Sequence, residues 1–304
     1  MFPVLFGVSV MVFTLGHLMP GDVVMSMLAE APSFNKQDVE KLRAQLGLDR
    51  PLHEQYLVWI SGAVRGDLGK SLWKDRPVTD IILERLPVTL EVAVLAMVVS
   101  TFLAIVIGVI SATRQDTPID YIVRLLSIGG LSMPEFWIAT LIVVFPAIWF
   151  GYMAPLHYAP ILKDPWANLQ QFALPAISLG VRMSAGVMRM TRSQMLEVLR
   201  QDYIRTAWSK GLRERAVIYR HALKNALIPV ITIMGSQFGS LLGGTVIVES
   251  IFNLPGVGRL TLEAIQVRDL TQLQGNVLFL ATGFLVINLL VDLSYAWLDP
   301  RIRY

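Results

Sequence analysis

The sequence contains no cysteine, and few of its residues are charged. Without cysteine, the chain has no disulfide, no thiolate nucleophile and no zinc–thiolate site. Only 16% of the 304 residues are charged, whereas soluble domains usually contain about 25%. Hydrophobic residues make up 54%, and several apolar runs approach the ~20 residues needed to cross a bilayer. We therefore expect an all-α integral membrane protein.

Motifs of catalysis and of nucleotide binding are also missing. Neither H-E-x-x-H nor G-x-S-x-G occurs, and the four histidines are scattered along the chain. Residues 66–71 look like a phosphate-binding loop, but Val64 occupies the position of its first glycine. The net charge of +3 is small, and the one basic cluster lies between apolar runs. We expect no catalytic residue, no metal site and no nucleic-acid partner.

Six apolar runs predict six transmembrane helices. They are residues 1–19, 87–113, 122–150, 172–190, 226–249 and 276–298. A cleaved signal peptide is the alternative for the first run, although a basic start and an A-x-A site are missing. No Lys or Arg precedes this run, so either the chain begins late or later loops set its orientation. Gly129-Gly130 and Pro134 interrupt the third run and predict a kink or break there.

The two polar segments differ in charge, and this difference predicts the orientation. Residues 20–86 contain nine Lys/Arg and ten Asp/Glu, with amphipathic helices expected at 39–46 and 53–64. Residues 189–224 contain nine Lys/Arg against three Asp/Glu. Short basic loops remain in the cytoplasm. We therefore expect both termini inside and a small extracytoplasmic loop domain at 20–86, followed by a five-helix core at 87–304.

The cytoplasmic loop 196–225 contains two short amphipathic helices that meet at Gly211. On the helices we expect one apolar ridge formed by Ile204, Trp208, Leu212 and Ala216. Charged residues surround it, namely Lys210, Arg213, Glu214 and Arg215. Two short helices joined at a glycine form a compact protrusion, and an apolar ridge surrounded by charge suits a cleft on another protein. An amphipathic hairpin lying on anionic lipid is the alternative.

Small and charged residues within the apolar runs are candidates for helix packing or for a transport pathway. The second run repeats a small residue every fourth position: Ala96, Ser100, Ala104, Gly108 and Ala112. The fifth run does the same with Gly235, Gly239 and Gly243. Three charged candidates complete the set: Arg182, Glu249 and Asp292. Arg182 either lines the pathway or pairs across a subunit contact, because a charge inside a span avoids lipid.

The central loop contains, in this order, Tyr203, Thr206-Ala207, Gly211, His221, Leu223, Asn225-Ala226 and Pro229. This residue order resembles the cytoplasmic coupling loop of ABC importer permeases, in the dipeptide, oligopeptide, glutathione and nickel branch. Further similar stretches occur along nearly the whole chain: Pro20-Gly21-Asp22, Leu46-Gly47-Leu48-Asp49, Gly66-Asp67-Leu68-Gly69, Met190-Thr191-Arg192, Phe252 with Pro255-Gly256 and Gly258, and Asp299-Pro300-Arg301-Ile302-Arg303-Tyr304. Arg205 replaces the glutamate of the general ABC pattern, and Lys224 replaces its proline, as in the peptide branch.

The resemblance implies a type I importer transmembrane domain in a bacterial inner membrane. It implies a second homologous permease, two cytoplasmic ATPase subunits that bind ATP and Mg²⁺, and a periplasmic substrate-binding protein. The coupling residues would be Tyr203, Arg205, Thr206, Ala207, Lys210, Gly211, Arg213, Glu214, His221 and Asn225. The cargo would be a di- or oligopeptide, glutathione or nickel. A secondary transporter and a membrane-embedded enzyme are the alternatives, although Arg182 is the only ionisable candidate at mid-membrane and no inverted repeat is evident.

Overall fold

The computed structural model describes residues 2–18, 25, 36–45, 47–155 and 158–298. Several residues named from the sequence lie outside these ranges. They are residue 19, the Pro20-Gly21-Asp22 motif, Leu46, His157 and the tail Asp299–Tyr304.

The described chain is helical almost throughout, and no β-strand occurs within those ranges. The helices are α1 (Phe2–Leu18), α2 (Lys36–Gln45), α3 (Leu52–Val64), α4 (Val78–Thr113), α5 (Pro118–Ser132), α6 (Glu135–Phe150), α7 (Pro165–Leu199), α8 (Asp202–Ser209), π1 (Ala216–Ala222, a π-helix), α9 (Leu223–Gly244), α10 (Val246–Ile251), α11 (Val257–Gln266) and α12 (Leu270–Leu298). The all-helical class predicted from the sequence is confirmed.

Two described helices, Val78–Thr113 and Leu270–Leu293, are long and apolar enough to cross a membrane. Helices α5 and α6 reach this length only as a pair, bent by 106°. The bend lies at Met133 and Pro134, because proline removes a backbone donor and disfavours a helical conformation in the residue before it. The predicted break is confirmed, although Gly129-Gly130 remain helical. The count of six crossings stays a prediction.

The chain folds into two compact units. The first contains residues 1–89 and 255–285, and the second contains 90–254 and 286–304.

A small hydrophobic core holds the first unit together. Its buried residues are Leu68, Val78, Ile81, Ile82, Val257 and Leu260. Gly275 permits close packing here, because a Cβ at that position would lie 2.5 Å from Val78 Cγ1. Asp269 caps α12 by accepting the Gln272 backbone N–H at 3.0 Å and also accepts the Ser71 hydroxyl at 2.5 Å. This capping residue therefore ties the start of α12 to the segment before α4.

In the second unit, α4 and α7 pack through the small residues that the sequence singled out. Ala96, Ser100, Ala104, Gly108 and Ala112 are all buried. A Cβ at Gly108 would lie 2.8 Å from Thr191 Cβ, and one at Gly180 would lie 2.6 Å from Val99 Cγ1. The predicted close helix packing is confirmed, because backbones at this distance leave no room for a side chain.

Candidate functional site

Helix α8 ends in a tight turn that requires a glycine. Gly211 has φ +73°, a left-handed conformation that side chains with a Cβ rarely adopt. Its N–H donates to the Trp208 carbonyl at 2.9 Å, and the N–H of Leu212 donates to the Ala207 carbonyl at 3.4 Å. These two bonds form a Schellman motif with Gly211 just beyond the helix end. The glycine joint predicted from the sequence is therefore present and has a defined geometry.

The inner face of α8 packs against a hydrophobic core in the second unit. Ile204 is fully buried, and Ala207 lies beside it one turn later. Their core also contains Val109, Ala112, Met195, Val217, Ile218, Ala222 and Ala226. Apolar side chains near the ends of α4 and α7 thus pack against α8 and π1 and hold these two segments in place.

The predicted apolar ridge is wrong in one respect. Ile204 faces the core, whereas Trp208 and Leu212 are 45% and 40% exposed. The reason is that α8 ends at Ser209, so Leu212 lies beyond the helix, and Trp208 lies in the last turn at the edge of the face that Ile204 and Ala207 bury. Ala216 is half-buried at the start of π1.

The outer face of α8, the turn and π1 combines exposed aromatic and charged side chains. Tyr203, Trp208, Leu212 and Tyr219 are all at least 40% exposed. The surrounding exposed charges are Arg205, Lys210, Arg213, Glu214 and Arg215. We call these nine residues the coupling surface. Large apolar groups within a charged rim are typical of a protein-docking site.

The structure brings two further predicted residues together below this surface. The Asn225 side-chain amide donates to the Tyr203 hydroxyl at 2.8 Å and to the His221 carbonyl at 3.0 Å. Asn225 lies at the start of α9, and Tyr203 lies in the first turn of α8. Their bond therefore links the first helix of the loop to the helix that leads back to the membrane. Thr206 bonds locally, to the Asp202 carbonyl at 3.0 Å.

A buried ionic cluster near the same end of the second unit was missed from the sequence. The Asp120 carboxylate is fully buried and accepts two hydrogen bonds from Arg192, both at 2.8 Å. It also accepts from Arg124 at 2.7 Å and from the Ser111 hydroxyl at 2.5 Å. The cluster thereby joins α4, α5 and α7. The spacing of Asp120 and Arg124, four residues apart, was the available signal.

Arg182, a pathway candidate, lies in a cavity of about 260 Å³. One of its terminal nitrogens lies 3.4 Å from Glu135 Oε2. Glu135 begins α6 directly after the bend, and Gln237 of α9 lines the same cavity. Glu135 and Gln237 were not singled out from the sequence, although Glu135 follows the proline that predicted the break.

The remaining candidates have mixed surroundings. A Cβ at Gly239 would lie 3.0 Å from the Asn288 side-chain amide, whereas open space surrounds a Cβ at Gly243. Gly235 is half-buried. Glu249 is fully buried and accepts the Thr245 hydroxyl at 2.9 Å, and Asp292 is exposed. Of the predicted glycine stripe, Gly239 is thus the position with a demonstrated close approach to another helix.

Comparison with known proteins identifies the family. Residues 104–304 match the family described as binding-protein-dependent transport system inner membrane component, and residues 1–93 match its N-terminal counterpart. A Brucella abortus protein named as a peptide transport system permease is 42% identical over 99% of this chain and 96% of its own length. The glutathione transport system permease protein of Escherichia coli K12 is 39% identical over 99% and 95%.

A solved structure, a crystal structure of an amino acid ABC transporter with histidines, shares the fold. It is 16% identical, with a TM-score of 0.53, over 74% of this chain and 95% of its own. The family match extends over about two thirds of the chain and includes the coupling surface, the Asp120 cluster and the Arg182 cavity. The chain therefore belongs to the binding-protein-dependent transport system inner membrane component family and is a permease subunit of an ABC importer.

Proposed function

We propose that this permease moves di- or oligopeptides, or a related small solute such as glutathione, across the inner membrane. The relatives named above, together with a dipeptide transport system permease protein of Alkalihalophilus pseudofirmus that is 39% identical, support this cargo class. A second permease of similar fold completes the pathway, and a periplasmic binding protein delivers the cargo. Two cytoplasmic ATPase subunits bind ATP with Mg²⁺ and hydrolyse it, so this chain itself is not an enzyme.

The proposed membrane arrangement has six crossings with both termini in the cytoplasm. Its basis is the excess of Lys and Arg between residues 189 and 224, since short basic loops remain on the cytoplasmic side. The coupling surface then faces the cytoplasm, and the loop domain at 20–86 faces the periplasm. The buried Asp120 cluster lies in the second unit, where its hydrogen bonds fix α4, α5 and α7 relative to one another.

The coupling surface is the observation that carries the proposal. Its outer face exposes Tyr203, Trp208 and Leu212, while its inner face is anchored on the helix ends through Ile204. An ATPase that binds the outer face can therefore move the helices. Shifting a two-state equilibrium from 1:99 to 99:1 requires about 5.5 kcal/mol of differential binding. A segment packed into a hydrophobic core that it shares with the helix ends transmits such a bias, whereas a flexible loop would lose it to conformational entropy.

Site-specific crosslinking tests this role directly. Because the chain has no native cysteine, a single Leu212→Cys variant can carry a photocrosslinker at one position of the coupling surface. In membranes containing the complete transporter, we expect it to capture an ATPase subunit. Val64→Cys is the matched control, since Val64 is 82% exposed and lies in the proposed periplasmic domain. Capture of phospholipid alone by Leu212→Cys would show a membrane-lying hairpin and refute the coupling role.

A further inference from the structure

The cavity that contains Arg182 has a composition unlike the apolar packing around it. Glu135, Arg182 and Gln237 bring a carboxylate, a guanidinium and an amide to its wall, beside Leu131, Leu179 and Ser240. All belong to the second unit. Charged side chains inside the membrane are costly and usually mark a functional path.

Two residues that line this cavity each have a buried polar atom without a hydrogen-bond partner. Glu135 Oε1 and Gln237 Oε1 are buried, and neither accepts a hydrogen bond from any residue in the described ranges. The Asp120 carboxylate in the same unit accepts four side-chain hydrogen bonds from three residues. This chain can therefore satisfy a buried carboxylate fully, and at Glu135 it does not. A buried acceptor without a donor is rare in a native protein and calls for an explanation.

The contact between Arg182 and Glu135 is weak enough to be displaced. The two atoms are 3.4 Å apart, whereas strong charge-assisted hydrogen bonds measure about 2.7–2.9 Å. A guanidinium has five N–H donors, and the Arg182 side chain is 46% exposed. A carboxylate that enters the cavity can therefore bind Arg182 without first breaking a tight ion pair.

We propose that this cavity binds the two charged ends of a zwitterionic, peptide-like cargo during its passage, an inference that rests on the proposed function. Glu135 receives the ammonium group on its carboxylate, and Arg182 receives the carboxylate of the cargo. Gln237 accepts a further N–H of the ammonium group or of the peptide bond. Every peptide with free termini has these two groups whatever its side chains, so one site serves many sequences.

The size and charge of the cavity restrict the cargo. A sphere of 260 Å³ is roughly 8 Å across, and an extended dipeptide spans at most about 7 Å. The volume is therefore of the order that a dipeptide needs, while only one end of a longer peptide can occupy the cavity at a time. A bare nickel ion suits the site poorly, because the guanidinium of Arg182 repels a cation at the carboxylate that would bind it.

Transport selectivity in reconstituted vesicles tests the assignment. The complete transporter is assembled in proteoliposomes with ATP, and uptake of Ala-Ala is compared with uptake of its C-terminal amide and of N-acetyl-Ala-Ala. The ratio of two rates on one preparation cancels differences in the amount of folded protein. The binding protein is the same throughout, so a changed ratio originates in this chain. Arg189→Gln is the control, because Arg189 is exposed on the same helix outside the cavity.

Arg182→Gln and Glu135→Gln are each expected to change one of the two rate ratios and to leave the other unchanged. Arg182→Gln should reduce the preference for the free carboxylate over the amide by about tenfold, the loss of one charged hydrogen bond, and leave the preference for the free ammonium group unchanged. Glu135→Gln should do the reverse. Arg182→Lys should retain most of the carboxylate preference, because it keeps the charge. This crossed pattern would not arise from a general loss of stability.

Three other results would overturn the inference. If both ratios in both variants match those of Arg189→Gln, the cavity does not contact the cargo, and the transport function stands. If the wild type imports nickel ion but neither Ala-Ala nor glutathione, the zwitterion site and the proposed cargo class are both wrong, and only the role as an importer permease stands. If the wild type shows no ATP-dependent uptake of any of these probes, the proposed function fails and the inference fails with it.

Discussion

Arg192 donates two hydrogen bonds, both of 2.8 Å, to the fully buried carboxylate of Asp120. The residues are 72 positions apart in the chain, so the pair fixes α7 against the first turn of α5. Arg124 and Ser111 complete the cluster, which lies close in sequence to the helix ends that anchor α8.

We expect Asp120→Asn to destabilise the chain by about 3–5 kcal/mol, because it leaves two arginines without their buried counter-charge. The measurement is the free energy of unfolding of the purified permease in detergent. Asp116→Asn is the control: Asp116 contacts the same Arg124 from a side chain that is 62% exposed, so its loss should cost about 1 kcal/mol or less. Equal effects of the two variants would contradict a structural role for the buried cluster.

Substitutions at Gly211 should separate membrane insertion from coupling. Gly211→Ala should cost about 1–2 kcal/mol locally, because a Cβ disfavours the left-handed conformation. Gly211→Pro should be worse, since proline cannot reach φ +73° and has no N–H for the Trp208 carbonyl. We expect normal insertion with uptake uncoupled from ATP hydrolysis, measured as cargo imported per ATP consumed. Gly211→Asn should retain most of the coupling, because asparagine tolerates this conformation.

Uptake at the wild-type rate in the Gly211→Pro variant would show that the Schellman turn has no part in coupling.

Replacing Gly180 should disrupt the packing of α4 on α7. A Cβ at Gly180 would lie 2.6 Å from Val99 Cγ1 and 2.9 Å from the Ala96 carbonyl oxygen, and backbone cannot rotate away as a side chain can. We expect Gly180→Ala to cost about 1–3 kcal/mol, as overpacked cores do, seen as a lower midpoint of thermal unfolding. Gly129→Ala is the control, because a Cβ there meets open space in the described structure. It should be neutral or stabilise by up to about 1 kcal/mol, and a loss as large as that of Gly180→Ala would refute the packing argument.

Gly239 and Gly243 form a second matched pair on α9. A Cβ at Gly239 would lie 3.0 Å from both amide atoms of Asn288 and would displace that flexible side chain. We expect Gly239→Ala to cost about 1 kcal/mol and Gly243→Ala to have no measurable effect on the unfolding midpoint. Should Gly243→Ala prove the more harmful variant, this face of α9 would have a contact outside the chain, such as the second permease.

Local chemistry explains which predictions succeeded. The break in the third apolar run was predictable because proline acts on its own backbone and on the residue before it. The joint at Gly211 was predictable because helices commonly end at a glycine. The small residues of α4 were predictable from their spacing, since every fourth residue shares one helix face.

The predicted ridge of the coupling surface failed for a different reason. Ile204, Trp208 and Leu212 share one stripe by spacing, but which stripe a helix buries depends on the helices below it. Ile204 and Ala207 pack against the apolar ends of α4 and α7, whereas α8 ends at Ser209, which leaves Trp208 in its last turn and Leu212 beyond the helix, both exposed.

The sequence by itself determined the helical class, the break, the glycine joint and the family, because apolar composition, backbone restrictions and residue order act over short stretches of chain. The tertiary structure alone decided that Arg192 pairs with Asp120 and that Arg182 pairs with Glu135. Those pairs join residues tens of positions apart, and such contacts are set by how whole helices pack.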